Sequence, residues 1–372
     1  MRVRGKAISS CIVTLGHAIQ SLCGLTWFKR AFGAARATAL TGVVLATAVL
    51  SACDAEVPDR SPAVDRLVQQ IAAMPGVQTV SHTFNDRPAQ DMVNFNVGVE
   101  VSDGITGDQL AAITSHYLSA LASGAFNGYR AELDVRRGWN VFAVDSGNRA
   151  IANTDQIIGQ ARDWVDLRHE FNSATVELRA TITHPDGPLE VREAGHSNVL
   201  RLSLPDPSDF ATLADAVRML SRNFLRLAGM EWTIHSGKLH PAEISFSRRF
   251  PSTAELDVWT RLNADQSIPH IDVLRINWST TPPVWFSEKT IRSHDVSAAL
   301  ELAARHLPIV AELAAPILYS ASDQLSGHIG GNGFARGPVA VTVGGCTPRD
   351  PLVYKPIPEE QALINRYAKC PS

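Results

Sequence analysis

The chain has 372 residues, of which 45% are hydrophobic, and its 34 basic and 37 acidic side chains give a formal net charge of −3. This length is large for a single hydrophobic core, so two or three domains are expected. Beyond residue 52 the basic side chains form no cluster. That argues against nucleic acid and anionic headgroups as partners, because such binding begins with neutralisation of phosphates.

The N-terminal 52 residues carry six basic side chains and no acidic one, and they end in an uncharged apolar run that closes with Leu50-Ser51-Ala52-Cys53. This ending resembles the lipobox of bacterial lipoproteins. The resemblance implies that residues 1–52 are a lipoprotein signal peptide that is removed, and that Cys53 receives a diacylglyceryl thioether. An uncleaved membrane helix is the alternative, but the apolar run at 37–52 is shorter than the ~20 residues that a spanning helix needs.

The lipobox resemblance also implies a location. Lipid on Cys53 would hold the chain at the extracytoplasmic face of the cell membrane, since two or more acyl chains anchor a protein stably. Residues 53–60 would then form a tether. Without the six leader cations, 28 basic residues stand against 37 acidic ones, a formal charge of −9. Arg outnumbers Lys and Ala is abundant, which hints at a GC-rich genome such as an actinobacterial one.

From residue 61 onward the apolar pattern alternates between one helix and two strands. Residues 92–101 alternate strictly between apolar and polar and so predict a half-buried strand. The clearest helix start is the capping box of Thr106 with Gln109. The same pattern returns at Asn153 with Gln156 and at Ser252 with Glu255, where it predicts two further helix starts. The order helix–strand–strand recurs six times. It can also be divided into three longer units of helix–strand–strand–helix–strand–strand, and either division indicates a repeat.

This recurrence predicts an α+β fold of tandem helix–strand–strand units, in which antiparallel sheets are covered by helices on one face. Sequence identity between the units is negligible, so the order of helices and strands repeats but the amino-acid sequence does not. The predicted parts are unit 1 at 61–147, unit 2 at 148–248, unit 3 at 249–345, and a C-terminal tail and helix at 346–372.

Two of the five cysteines, Cys346 and Cys370, lie in the body of the chain after Cys53. In an exported and oxidising compartment we expect them to pair and to pin the last helix to the last strand. A closed loop of this length corresponds to about 3 kcal/mol by loop-closure arguments. The alternative is two free thiols. Neither residue belongs to a C-x-x-C pair, so thiol–disulfide catalysis is not expected.

The sequence contains no linear signature of catalysis, metal binding or cofactor binding. H-E-x-x-H, G-x-S-x-G and both phosphate-binding glycine patterns are missing. His235 and His240 are interpreted as surface residues, and the glycine-rich stretch 330–337 as a hairpin tip rather than a ligand loop. We therefore predict no catalytic residue, no metal and no cofactor. Paired carboxylates of the glycosidase kind leave no linear mark, so a dispersed acid pair stays open.

Trp278 and Trp285 flank a Pro-Pro turn between two predicted strands. Trp164 and Trp259 lie instead on the apolar stripes of predicted helices and are assigned to the core. The first pair is expected to be the more exposed. It forms the candidate ligand surface, because amphipathic aromatic side chains favour interfaces.

These features favour a lipid-anchored, non-enzymatic binding or assembly module of the bacterial cell envelope. Its partners would be the membrane, through the anchor, and an envelope protein or small-molecule ligand at a sheet face or edge. One alternative is an envelope hydrolase with a dispersed acid pair, which needs a deep cleft and a carboxylate of raised pKa. The other is a lipid carrier, which needs an apolar cavity.

Overall fold

The computed structural model describes residues 59–87, 92–186, 197–278, 282–291 and 294–370. The signal peptide predicted at 1–52, Cys53 and most of the predicted tether lie outside these ranges. One compact unit runs from Asp59 to the C-terminus. Among the described residues, no helix is both long enough and apolar enough to span a membrane.

Seven α-helices and twelve strands alternate along the described residues, with one helix before each pair of strands and one after the last pair. This is the order that the sequence predicts. The helices are α1 Ser61–Ala72, α2 Gly107–Ala122, α3 Thr154–Glu170, α4 Phe210–Asn223, α5 Thr253–Ala264, α6 Val296–Val310 and α7 Pro358–Tyr367. The strands are β1 Val77–Arg87, β2 Met92–Val101, β3 Arg130–Arg137, β4 Asn140–Asp145, β5 Thr175–Arg179, β6 Val199–Ser203, β7 Glu231–His235, β8 Glu243–Phe246, β9 His270–Ile276, β10 Val284–Thr290, β11 Ile317–Ser322 and β12 Ala340–Val343.

Two helices begin with the capping boxes that the sequence predicts. At α2 the Gln109 N–H donates to Thr106 Oγ1 at 3.2 Å, and the Thr106 N–H donates to the Gln109 side chain at 2.9 Å. At α5 the Glu255 N–H donates to Ser252 Oγ at 3.2 Å, and Glu255 accepts from the Ser252 N–H at 2.6 Å. Both predictions are confirmed, and both boxes satisfy backbone donors that the helix leaves unpaired. At α3 Asn153 is the N-cap residue, but its side chain makes no capping bond, because it bonds instead to the backbone of Thr181 and Thr183.

The strands form one twelve-stranded sheet in sequence order. The two strands of each hairpin are antiparallel, whereas successive hairpins meet in parallel pairs such as β4–β5 and β8–β9. The expectation of purely antiparallel sheets is therefore wrong at these junctions. A helix returns the chain across the sheet, so the next strand starts at the same end as the last one. The boundaries expected at 147/148 and 248/249 fall between β4 and β5 and between β8 and β9, which are hydrogen-bonded neighbours.

In β2, β5 and β7, buried residues alternate with more exposed ones. The buried set of β2 is Phe95, Val97, Val99 and Val101, each at most 1% exposed. Successive side chains of a strand point to opposite faces. One face of the sheet in this region therefore packs into the core, and the other carries polar side chains. The result is a mixed α/β protein.

The alternation ends at the C-terminal strands, where residues of both faces are buried. A segment that follows β11 covers the second face. The Leu325 carbonyl accepts hydrogen bonds from Arg275 Nη1 and from Ser287 Oγ, each at 2.9 Å. Gly327 has a φ of +56°, and a Cβ there would lie 2.1 Å from Ser320 Oγ, so this close approach requires glycine.

Candidate functional site

A cluster of ionisable side chains is buried between β9, β10 and α6. His270 and Asp272 lie on β9, Glu288 on β10 and His306 on α6, and each residue is at most 3% exposed. Two residues apart on one strand, His270 and Asp272 share a face, and Glu288 is the cross-strand partner of Asp272. Strand alternation and sheet register thus bring together groups that are far apart in sequence.

Glu288 is held from two sides. His306 Nδ1 lies 2.7 Å from Glu288 Oε1, and the Tyr319 hydroxyl donates to Glu288 Oε2 at 2.5 Å. The other nitrogen of His306, Nε2, lies 3.4 Å from Asp265 Oδ2. Because the Asp265 side chain is one-third exposed, a chain of contacts runs from the protein surface to the buried Tyr319.

His270 is oriented by the backbone. Its Nδ1 lies 2.6 Å from the Ile268 carbonyl oxygen, which can only accept, so Nδ1 carries a proton. His270 Nε2 then lies 3.0 Å from Asp272 Oδ2. The two groups form a buried ion pair. Neither Asp272 carboxylate oxygen has a hydrogen-bond partner among the described residues, and neither has His270 Nε2.

Burial and neighbouring charges shift the pKa values of the cluster. Burial would lower the pKa of His270, but Asp272 outweighs it and raises that pKa to about 9. Burial raises the pKa of Asp272 to about 6 against the attraction of His270. Burial likewise opposes the charged form of His306, yet Glu288 overcomes it and raises the pKa. The two carboxylates therefore favour positive charge at the centre of the cluster.

Three of these side chains could hold a metal. His270, Glu288 and His306 each offer one ligand atom, and these atoms lie within 4.8 Å of one another. No metal is predicted from the sequence, because these residues are spread over two strands and a helix and match no linear spacing pattern. A usable signal was the position of Asp272 and Glu288 at apolar-face positions of their strands, where an acid needs a partner.

Of the two tryptophans in the candidate ligand surface at the Pro-Pro turn, only one is exposed. Trp278 is 42% exposed, whereas Trp285 is 4% exposed. Trp285 Nε1 donates to Ser320 Oγ at 2.9 Å, and the Arg275 guanidinium lies 4.5 Å from the centre of its ring. The expected exposure of Trp285 is wrong because the segment after β11 covers this face of the sheet. The structure does not bring the two tryptophans into one surface.

A shallow cavity of about 380 Å³ lies beside the ends of β6 to β9. Its wall includes His235, Lys238 and Glu243 together with apolar residues such as Leu325. His235 is part-exposed, and its Nδ1 lies 3.8 Å from Glu243 Oε2. His240, at the nearby turn, is exposed. The size of the cavity suits a small molecule, but its wall is mixed in polarity.

The β12 edge of the sheet is covered by α7. Glu360 of α7 is fully buried, and its Oε1 accepts from the Ala340 N–H of β12 at 3.3 Å. Arg349 Nη2 donates to the same oxygen at 3.2 Å, and the Tyr354 hydroxyl donates to the other oxygen. A buried, fully hydrogen-bonded carboxylate thus joins α7 to the edge strand and to the segment between them.

A disulfide between Cys346 and Cys370 closes this end of the chain. It connects the turn after β12 to the residues after α7. Beside it, the Lys369 N–H donates to the Gly345 carbonyl at 2.8 Å. The covalent link therefore holds the end of α7 against the last strand.

The opposite edge of the sheet is β1. Over its eleven residues it pairs only with β2 within the described part of the chain. Its exposed side chains are Gln78, Thr79, Ser81, His82 and Thr83. The strand contains no Lys and no Pro, which commonly protect an edge from further pairing. The outer side of β1 is therefore suited to pairing with another strand.

No protein-family model, no curated protein and no solved structure matches this chain. The geometry of the two edges and of the buried cluster therefore carries the functional inference.

Proposed function

We propose that this chain is a lipid-anchored, non-enzymatic binding or assembly module of the bacterial cell envelope, and that it recruits an extended partner segment at the β1 edge. The observation that carries the proposal is this long exposed edge strand. A peptide that adds to such an edge gains main-chain hydrogen bonds along its length, and side-chain positions on alternate residues supply specificity.

The anchor in this proposal rests on the resemblance of Leu50-Ser51-Ala52-Cys53 to a lipobox. The described body begins six residues after Cys53, at Asp59, and only α1 separates that point from β1. This short separation along the chain supports capture of the partner close to the extracytoplasmic face of the membrane.

The proposal extends to the architecture. We propose that the six helix–strand–strand units are tandem structural repeats whose helices cover one face of the sheet. The regular order of the elements and the alternating burial in β2, β5 and β7 support it. In such an array the terminal units need their own caps, because each unit buries its core against its neighbours. An uncapped terminal strand then becomes a place for a partner.

The two alternatives have less support. An envelope hydrolase needs a free carboxylate of raised pKa in a cleft. Asp272 is only 1% exposed. Burial also raises the pKa values of Asp163 and Glu132, but these acids are paired with Arg226 and Arg179. A lipid carrier needs a large apolar cavity, whereas the cavity beside β6 to β9 has charged groups in its wall. A second cavity, lined in part by Leu118, Leu121 and Phe126, measures only about 210 Å³. We therefore advance the binding module first.

Site-specific photo-crosslinking in membranes of the native host tests the edge. A photoreactive side chain at Ser81 or Thr83 should cross-link one reproducible partner protein, and digestion of the adduct should locate the contact in an extended segment. The matched control is Ala304, an exposed residue of α6 at the other end of the chain. Equal cross-linking from Ala304, or none from β1, would refute edge recruitment.

The anchor is tested separately. Cys53→Ser should release the chain from membranes or leave an unprocessed precursor, because the lipid is attached to this sulfur. Membrane fractionation and the mass of the N-terminal peptide measure both outcomes. A processed, membrane-bound Cys53→Ser protein would overturn the lipoprotein reading and leave the edge proposal standing.

A further inference from the structure

The donor set of the buried cluster is that of a transition-metal site. Two imidazoles and a carboxylate converge from His270, His306 and Glu288, with their ligand atoms within 4.8 Å of one another. Zinc is bound by such mixtures of His nitrogen and carboxylate oxygen, whereas Mg²⁺ and Ca²⁺ take mostly oxygen ligands. In a tetrahedral zinc site with bonds of about 2.1 Å, the ligand atoms are roughly 3.4 Å apart. Small side-chain shifts would therefore close the site around an ion.

Two of the three ligands are held from behind in the manner of metal ligands. The Ile268 carbonyl accepts from His270 Nδ1, which leaves Nε2 directed into the cluster. The Tyr319 hydroxyl donates to Glu288 Oε2, which leaves Oε1 for the centre. Outer-sphere hydrogen bonds of this kind fix the tautomer and orientation of a ligand before the metal arrives.

The third ligand has the same arrangement. His306 directs Nδ1 toward Glu288 Oε1 at 2.7 Å and Nε2 toward Asp265 Oδ2 at 3.4 Å. A carboxylate behind a metal-bound histidine is a common outer-sphere partner, since it raises the basicity of the ring. All three side chains therefore have a polar support on the side away from the centre.

The buried charges of the cluster also favour a bound metal ion. Glu288 and Asp272 are buried acids, each beside one imidazole, and a divalent ion could supply the positive charge that protonated imidazoles otherwise supply there. His270 Nε2 and Asp272 Oδ2 contact only each other, at 3.0 Å, and the buried Asp272 Oδ1 lacks a hydrogen-bond partner among the described residues. Buried polar atoms without partners are rare in folded proteins and call for an explanation such as an ion.

From this geometry we propose that His270, Glu288 and His306 bind one divalent transition metal of the zinc class, with Asp272 supplying the second negative charge beside it. The ion would tie β9, β10 and α6 together behind the sheet. Because every ligand is buried, the metal would be taken up while the chain folds.

Production of the full chain in medium supplemented with Co²⁺, followed by purification in detergent, tests the proposal. We expect about one Co²⁺ per chain by elemental analysis and visible absorption bands from cobalt bound to the protein. His270→Asn and Glu288→Gln should each lower the bound Co²⁺ by at least about tenfold, because each removes a direct ligand. The matched control is His235→Asn, which removes an imidazole from the part-exposed pair with Glu243 and should leave the occupancy unchanged.

Tyr319→Phe separates a metal site from a purely structural hydrogen-bond network. It keeps every ligand and should weaken metal binding by roughly 10–100-fold, as loss of an outer-sphere partner does. Where a ligand variant fails to fold, X-ray absorption on the unmodified chain decides, and the expected first shell contains two imidazole nitrogens. A chain without bound Co²⁺, a first shell without imidazole, or full occupancy in Glu288→Gln would overturn the proposal and leave imidazolium–carboxylate pairs as the content of the cluster.

Discussion

The two ends of the sheet are built differently. At the C-terminal end, α7 covers β12, the buried Glu360 bonds to its backbone, and a disulfide between Cys346 and Cys370 holds the covering segment. Both faces of β9 to β12 are also buried. At the N-terminal end, β1 is eleven residues long, largely exposed and paired only with β2 among the described residues.

A sheet built by adding a helix and two strands at a time needs separate structures to cover its two edge strands. An uncovered edge offers a row of free backbone groups to any other strand. The C-terminal end is closed by hydrogen bonds, buried charge and a covalent bond. The N-terminal end has no equivalent within the described residues, and that is where we expect recruitment.

The largest expected effect comes from removing the acid that closes the β12 edge. Glu360→Ala should lower the free energy of unfolding by about 3–5 kcal/mol, because it leaves the mostly buried Arg349 without its partner. Urea denaturation followed by circular dichroism measures this. The neighbouring Glu359 is exposed, so Glu359→Ala should change stability by less than about 0.5 kcal/mol. Equal effects of the two variants would show that Glu360 does not close the edge.

The disulfide should contribute the next largest share of that closure. Replacing both Cys346 and Cys370 by Ser should lower the free energy of unfolding by about 3 kcal/mol, since the bond closes a sequence separation of 24 residues. The double variant should also be indifferent to reductant, whereas the unmodified chain should lose a similar amount on reduction. Stability that reductant leaves unchanged in the unmodified chain would contradict this expectation.

A pH titration sharpens the comparison through the two capping boxes. Burial raises the pKa of Glu255, but hydrogen bonds from Arg249 and from the Ser252 N–H outweigh it and lower that pKa below 4.5. A lowered acid pKa means that the stabilisation is present above about pH 4.5 and is lost as the pH falls through the folded value. Glu255→Gln should therefore cost about 1–3 kcal/mol at pH 7 and progressively less below pH 4.

The box at α2 is the control for this titration. Its partner side chain, Gln109, does not titrate, so Gln109→Ala should cost about 1 kcal/mol or less at every pH. Denaturation midpoints between pH 3 and pH 7 compare the two variants. A deficit of Glu255→Gln that stays constant over this range would show that the charge of Glu255 is not what stabilises α5.

The smallest effect on stability is expected at β1. Ser81→Lys should change the free energy of unfolding by no more than about 0.5 kcal/mol, since the side chain is exposed. It should nevertheless reduce cross-linking from Thr83, because a charge on an edge strand disfavours further pairing. Ala304→Lys on α6 is the matched control and should leave the cross-link intact. Undiminished cross-linking in Ser81→Lys would show that the partner does not bind by pairing with the β1 edge.

Much of the element order could be predicted because it depends on neighbours in the sequence. The boxes at Thr106 and Ser252 begin helices through contacts within one turn, and the alternation at 92–101 marks a strand through period two. Both kinds of signal act within a dozen residues. They are therefore visible without knowledge of the fold.

The direction of strand pairing was not visible in the same way. Hairpins were expected to build separate antiparallel sheets, yet β4 pairs in parallel with β5 and β8 with β9. Each pairing depends on where the intervening helix returns the chain. The local pattern of the two strands is the same for either outcome.

Trp285 and the buried cluster were missed for a related reason. Trp285 shares a strand face with Ser287, which resembles an exposed face, and only the distant segment at Leu325 buries it. His270, Glu288 and His306 meet across two strands and a helix. Their mutual distances come from register and packing, which leave no spacing in the sequence.

Most helices and strands and their order follow from the sequence, because each depends on residues within one or two turns of each other. The tertiary structure alone decided that the strands join in one sheet, that its C-terminal end is covered and its N-terminal edge is not, and that two imidazoles and two carboxylates share one buried space. Those outcomes depend on contacts between segments far apart in the chain, where burial and backbone pairing select one partner among many.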